Sequence, residues 1–403
     1  MASSKIENAQ IVELGELIEI CDTRNTDKKY GIDDVCGMTI EKEIIPTKAD
    51  VKDTDLSKFY IVQPQEFVYN PRTHGRKIGL GFNNSNKPIL ISWNNTAFKV
   101  KETNRVIPTY LYMIFTRDEW DREACFNSWG SSTVVFAWED FCKMKIPLPS
   151  IETQRELVAV YNGLKGLAEE NEKLLEPLSK SCEAFIVDCK KKYPSKRLGD
   201  MMEQVEERKE MLKQVQHDTT RLHEETVCHP ELLFSGSLGI ESVRGISIEK
   251  KFIPTKADME GVSLNPYLLA KPNYFSYVPV TSRNGEKITL ALNSTDETYL
   301  VSSSYSVFKV SDETILRPEY LMMFFKRIEF DRYSRFNSWG SARETFDWSE
   351  MCRIQIPLPP IQIQQKIVDL YNCYEECKRI ANEAREKISN LCPALVQKAA
   401  HSK

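Results

Sequence analysis

The chain lacks what a membrane protein, a secreted disulfide scaffold or a self-sufficient enzyme would carry. No apolar run approaches the ~20 residues needed to span a bilayer, and the start, MASSKIENAQ, has no apolar signal core. The expectation is a cytoplasmic protein with no membrane contact. The 11 cysteines are an odd number, scattered, and include no CxxC pair, which points to reduced thiols rather than a disulfide framework. Only 5 histidines occur, and the densest Cys/His cluster, His217, His223, Cys228 and His229, lacks zinc-finger spacing, so no metal is expected. Positive charge is not in excess either: 54 Lys and Arg face 58 Asp and Glu, a net −4. That excludes a generally basic nucleic-acid coat but leaves room for a local basic groove.

Catalytic signatures are missing too. There is no GxxxxGK loop followed by Ser or Thr, no HExxH and no GxSxG elbow. Ile78 to Phe82 holds two glycines without a dinucleotide fingerprint around them, and no histidine recurs at an equivalent place in the repeat described next. Catalysis by this chain is not expected.

What the sequence does have is itself, twice. IPTKAD at Ile45 to Asp50 returns at Ile253 to Asp258, an offset of 208 residues. FNSWGS at Phe126 to Ser131 returns at Phe336 to Ser341, and IPLP at Ile146 to Pro149 returns at Ile356 to Pro359, both offset by 210. Upstream, Leu14-Gly15-Glu16 matches Leu198-Gly199-Asp200 at an offset of 184, so the second copy carries 24 extra residues, placed at about 211–236. In a chain of 403 residues, 41% apolar and 28% charged, this is a tandem duplication of a globular domain.

Short β-branched and aromatic runs bounded by Asn, Gly, Ser and Pro read as strands at Lys77 to Phe82, Ile89 to Trp93, Ala97 to Val100, Lys287 to Leu292 and Tyr299 to Val310. Pro108 and Pro318 each open one buried helix, so each copy is α+β. After IPLP, steps of three and four mark a long helix in each copy. The first seam holds Leu157, Val160, Leu164, Leu167, Leu174, Leu178 and Phe185; the second holds Ile367, Leu370, Tyr374, Ile388, Leu391 and Leu395. The two could pair as a spacer; the alternative is that each packs on its own domain. Pro177 is expected to kink or break the first helix. The implied division is 1–150, a first domain; 151–192, a helix; 193–360, a second domain; and 361–403, a second helix.

The flanks of the copies repeat closely, while about 51–91 and 259–301 diverge. The divergent stretches are locally basic. Phe67 to Ile91 has Arg72, Arg76, Lys77, Lys87 and His74 and no acid; its counterpart has Lys271, Arg283 and Lys287 against Glu286. Among them lie Asn70, Thr73, Asn83 and Asn84, then Thr281, Ser282, Asn284 and Asn293. Arg and Lys reading guanine edges, Asn reading adenine and Ser or Thr holding phosphate make up the vocabulary of base readout. The alternative for each residue is a solvated polar loop. FNSWGS is identical in both copies and so cannot encode a difference between targets; Trp129 and Trp339 are expected in the core, with Asn127, Ser128, Asn337 and Ser338 available to phosphate.

A duplicated target-reading domain, each copy ending in IPLP, then QRELVAVYN or QQKIVDLYN and a long helix, resembles the specificity subunit of type I restriction-modification systems. The resemblance spans nearly the whole chain outside about 211–236. It implies two target recognition domains separated by two long helices forming an antiparallel coiled coil, with a pseudo-twofold internal repeat. Each domain would bind one half of a bipartite, gapped site in double-stranded DNA. The helices would act as a ruler for the gap and dock two methyltransferase subunits. S-adenosylmethionine, ATP and Mg2+ would then belong to those subunits and to restriction subunits, with no cofactor on this chain. Two rivals are a fused enzyme fragment, which the missing NPPY-type motif opposes, and a DNA-independent assembly protein that uses its helices for oligomerisation.

Overall fold

The computed structural model describes residues 9–73, 77–130, 133–208, 238–281, 287–341 and 343–401. The extra segment at about 211–236 lies outside them. The chain divides into two compact units that do not follow chain order: 1–172 with 378–403, and 173–377.

In the first unit, β1 (Gln10–Glu13) is followed by a single helical turn, α1 (Leu14–Leu17), and by β2 (Ile18–Cys21). A hairpin of β3 (Cys36–Met38) and β4 (Ile44–Pro46) comes next, and β5 (Tyr60–Val62) later pairs with β8 (Ile89–Ile91). The central antiparallel sheet has the order β2-β9-β6-β7, with β6 at Phe67–Tyr69, β7 at Leu80–Phe82 and β9 at Thr96–Val100. Phe67 faces Phe82 on one side and Phe98 on the other, its ring stacked on Phe98 at 5.0 Å. Aromatic and β-branched residues suit this pleated surface, and their rings fill the core together with Phe115, Trp120 and Phe141.

Where one buried helix was expected there are two, α2 (Pro108–Phe115) and α3 (Asp118–Phe126). The break falls at Thr116 and Arg117, where Thr116 Oγ1 donates to the Met113 carbonyl and competes with the helical ladder. Then α4 (Trp138–Lys143) leads into β10 (Lys145–Leu148), which holds the first three residues of IPLP and pairs antiparallel with β1. IPLP therefore closes the domain onto its own first strand.

The second unit repeats this: β11 (Ser195–Arg197), β12 (Met202–Val205), the hairpin β13 (Arg244–Ile246) and β14 (Phe252–Pro254), then β15 (Leu268–Ala270), β16 (Phe275–Tyr277), β17 (Leu290–Leu292), β18 (Tyr299–Val301) and β19 (Ser306–Val310). The sheet order β12-β19-β16-β17 copies the first, and Phe275 stacks on Phe308 at 4.8 Å as Phe67 does on Phe98. In chain order the long helix of the first copy is α5 (Ile151–Lys192), and the second copy adds α6 (Pro318–Phe325), α7 (Ile328–Phe336), α8 (Trp348–Arg353), β20 (Gln355–Pro357) and α9 (Ile361–His401).

Helices α5 and α9 pack on each other inside both units. In the first unit Leu157 joins one core with Cys392, Val396 and Ala399; in the second, Cys182, Ile186 and Cys189 join Ile367 and Val368. The early half of one helix thus meets the late half of the other, which makes the pairing antiparallel. Leu157, Leu164, Leu178, Ile367, Leu370, Tyr374, Ile388 and Leu395 lie buried or half-buried on this face. Leu167, Leu174, Phe185 and Leu391 do not: they are exposed, and Ala168, Leu175, Ile186 and Cys392 turn inward instead. Steps of 3-4 and 4-3 fit a heptad equally well, and apolar residues stand on both flanks of the Leu157 row. The small Ala and Cys side chains admit the closer approach.

The helical run of α5 continues through Pro177, so of the two expectations, a kink or a break, the break does not occur. Its ring is on the exposed side of the helix.

Candidate nucleic-acid interface

Two polar devices, each present in both copies, shape the surface around the divergent loops. In the first, the hairpin between β3 and β4 carries Lys42 at φ 69°, and the hairpin between β13 and β14 carries Lys250 at φ 58°. The left-handed residue belongs to the hairpin turn, where the Lys42 amide donates to the Thr39 carbonyl and the Lys250 amide to the Ser247 carbonyl, and a lysine rather than a glycine occupies it in both copies. Lys42 Nζ reaches Asp121 Oδ1 at 2.6 Å and the Ile78 carbonyl at 2.7 Å, and the Ile78 amide donates to the same Asp121 oxygen at 3.1 Å. In the second unit Lys250 meets Asp331 at 2.6 Å, and Ile288 N–H donates to Asp331 at 3.2 Å. Burial holds both ammonium groups below the ordinary lysine range, and the facing aspartates pull the other way. Ile78 and Ile288 are where each divergent loop returns to the sheet, so each buried pair clamps the loop's foot.

The second device is a strap. Trp129 and Val135 exchange N–H···O bonds at 3.0 and 2.9 Å, the Thr73 amide donates to the Val134 carbonyl, and the Phe136 amide donates to the Pro71 carbonyl. In the other unit Trp339 pairs with Thr345, Thr281 with Glu344, and Phe346 with Pro279. The turn needs glycine. Gly130 has φ 144° and Gly340 φ 140°, and a Cβ on either would lie 2.1 Å from a carbonyl oxygen, that of Thr133 or Arg343. FNSWGS is thus a fixed strap that ties a variable loop to the end of α3 or α7.

The candidate DNA-contacting residues divide sharply. Arg72, Lys77, Asn84 and Lys287 are exposed, Lys287 with Glu249 at 3.7 Å, and Asn70 spends its Oδ1 on the Arg72 amide. His74, Arg76, Ser282, Arg283 and Asn284 lie outside the described residues. Four are corrections. Asn83 and Asn293 are buried, and each binds two carbonyls through Nδ2 while Oδ1 accepts from Ser85 or Thr295, so they organise turns and have no atoms left for a base. Thr73 and Thr281 are buried, with their hydroxyls on Val134 and Glu344 carbonyls inside the straps. Asn127, Ser128, Asn337 and Ser338 cap α3 and α7 by donating to helix carbonyls, which leaves phosphate binding without their donors.

The tryptophans correct the sequence expectation in the opposite sense. Trp129 is 68% exposed and Trp339 64%, and beside them Phe126 and Phe336 are 79% and 77% exposed. The strap holds their backbone and leaves the rings in solvent.

A further pair of polar residues opens the QRELVAVYN and QQKIVDLYN stretches, with a role that the sequence alone did not assign. Gln154 and Gln364 are fully buried; each accepts from one amide, Ile107 or Arg317, and donates to two carbonyls, which ties the first turn of its long helix to the segment entering α2 or α6. Polar identity at the repeat offset, 154 against 364, is the signal that finds them. The same signal finds Lys42 with Lys250 and Asp121 with Asp331.

Compared with known protein families, residues 6–174 and 273–390 match the type I restriction modification DNA specificity domain, well over half of the chain. The chain belongs to that family. Among solved structures it is similar to the type I restriction-modification system S subunit from M. genitalium, at 12% identity over 99% of this chain and 97% of that one, with a TM-score of 0.58. It also matches the HsdS subunit from Thermoanaerobacter tengcongensis, at 14% identity over 98% and 97% of the two chains, with a TM-score of 0.35. A structure describing complex assembly and conformational transition of the type I R-M system matches at 15% identity over 98% of each chain, also at 0.35. The likeness in fold rests on the first. No curated protein matches by sequence. As a member of this family the chain is a DNA sequence-specificity subunit and not an enzyme. Among the described residues no helix is long and apolar enough to cross a membrane, and no cluster of metal-ligating side chains occurs.

Proposed function

We propose that each unit reads one half of a two-part, gapped site in double-stranded DNA, through the loops at 70–77 and 281–287. The observation that carries this is one frame used twice: identical straps and equivalent buried Lys–Asp clamps hold loops of different sequence. Arg72, Arg76, Lys77, Asn84, Ser282, Arg283, Asn284 and Lys287 are the side chains assigned to phosphate and base edges, with His74 and Asn70 beside them.

The helices dock two methyltransferase subunits. The apolar side chains that α5 leaves in solvent, Val160, Leu167 and Leu174 at intervals of seven and Phe185 beyond them, support that reading, because exposed apolar residues at heptad spacing suit partner helices. Adenine methylation from S-adenosylmethionine then lies with those subunits, and ATP and Mg2+ with restriction subunits. The test is methylation mapping of plasmid DNA from cells that express the partner methyltransferase with and without this chain. A gapped two-part motif appearing only with the chain is expected; its absence despite a stable complex would overturn the proposal.

A further inference from the structure

The exposed aromatic pairs Phe126/Trp129 and Phe336/Trp339 are not needed to build the fold, yet they recur unchanged. Large apolar side chains in solvent are ordinary when scattered, but a phenylalanine and a tryptophan three residues apart, at 64–79% exposure in both copies, form a repeated feature. The loops strapped to them have diverged. A residue that read a particular base would have diverged with its loop; these contact something that does not change from one half-site to the other.

Position and charge narrow what that is. Trp129 shares backbone bonds with Val135, whose neighbours Val134 and Phe136 are bonded to Thr73 and Pro71, so its backbone is held beside the residues that lead to Arg72. Arg122 stands one helical turn before Phe126, 71% exposed and 3.4 Å from Glu119. In the second unit Arg332, Arg335 and Arg343 are exposed around Phe336 and Trp339, with Arg335 paired to Glu344. Arg122 in the first unit, and Arg332, Arg335 and Arg343 in the second, set cationic groups beside exposed rings, a combination that suits a polyanion with stackable faces.

We infer that these two pairs form a sequence-independent grip on the duplex: the rings pack on sugars and base faces beside each half-site and set how deeply the reading loop enters. The inference rests on the reading of the loops under Proposed function and adds residues outside them. Such a wedge tolerates any base, because every base offers a π-face.

The experiment uses the full chain in complex with its methyltransferase subunits. Phe126→Ala/Trp129→Ala, Phe336→Ala/Trp339→Ala and the fourfold variant are compared with wild type for assembly, for affinity to cognate and scrambled duplexes, and for the methylated motif. The rings are exposed, so the variants should melt as wild type does; Trp129→Tyr, which keeps a ring, should recover most of the binding. Affinity for both duplexes is expected to fall by the same factor, roughly ten- to a hundredfold, with motif and assembly unchanged. Unchanged affinity would overturn the inference, as would loss of the methyltransferase subunits, which would make the rings a protein-docking surface. If the wild-type complex yields no two-part motif, the reading of the loops fails instead.

Discussion

Lys42 Nζ and Asp121 Oδ1 lie 2.6 Å apart, 79 residues apart in sequence, and Lys250 and Asp331 repeat the contact at the same distance. Each pair fixes the point where a loop that differs between the two copies rejoins the sheet, so a repeated contact underlies a diverged one.

Removing one partner of such a buried pair leaves an uncompensated charge. Asp121→Leu is expected to destabilise the chain by about 3–5 kcal/mol, and Lys42→Met/Asp121→Leu to recover much of that. Urea denaturation of the two variants beside wild type checks this; equal losses in both would show that packing rather than charge sets the cost.

Gly130→Ala and Gly340→Ala place a Cβ where a carbonyl oxygen already sits. The expected strain is about 1–3 kcal/mol per site, relieved by opening the strap. In the methyltransferase complex each variant should weaken DNA binding while assembly persists, as read by gel shift together with size-exclusion chromatography.

Arg72 and Lys287 are exposed on the two reading loops. If each neutralises a phosphate, Arg72→Ala and Lys287→Ala each lower the slope of log affinity against log salt by about 1. Binding of the complex across a KCl series measures it, and an unaltered slope removes that residue from the interface.

Arg385 and Glu172 join α9 to α5 through a forked pair, 3.0 Å at Nε and 2.8 Å at Nη2. The Arg385 hydrogen bonds hold the Glu172 carboxyl below the usual glutamate range. A lowered carboxylate stabilises the fold above its unfolded value, about pH 4.3, and that contribution is lost as pH falls through the lowered value. Both side chains are more than 40% exposed, so the pair contributes only about 0.2–1 kcal/mol. Arg385→Ala should therefore cost that much at pH 7 and nothing near pH 2; a deficit independent of pH would assign the cost to lost packing.

Much of this protein was legible along one dimension. Duplication, the strand runs, the two long helices and the family signature are local patterns, and a repeat shows itself wherever two stretches of chain match. The tertiary structure decided what depends on partners distant in sequence. Asn83 and Thr73 look like base readers in the sequence, but Asn83 donates to the Val62 carbonyl, 21 residues away, and Thr73 to that of Val134, 61 residues away, contacts that exist only once the chain has folded. Trp129 looks like core because tryptophan usually is; a strap held by backbone bonds alone frees its ring for solvent. The seam of α5 could not be fixed from periodicity, since apolar residues flank it on both sides, and Ala168 rather than Leu167 faces inward only because another helix packs there. Hydrophobic pattern is a property of neighbours in sequence; saturation of a polar group is a property of neighbours in space.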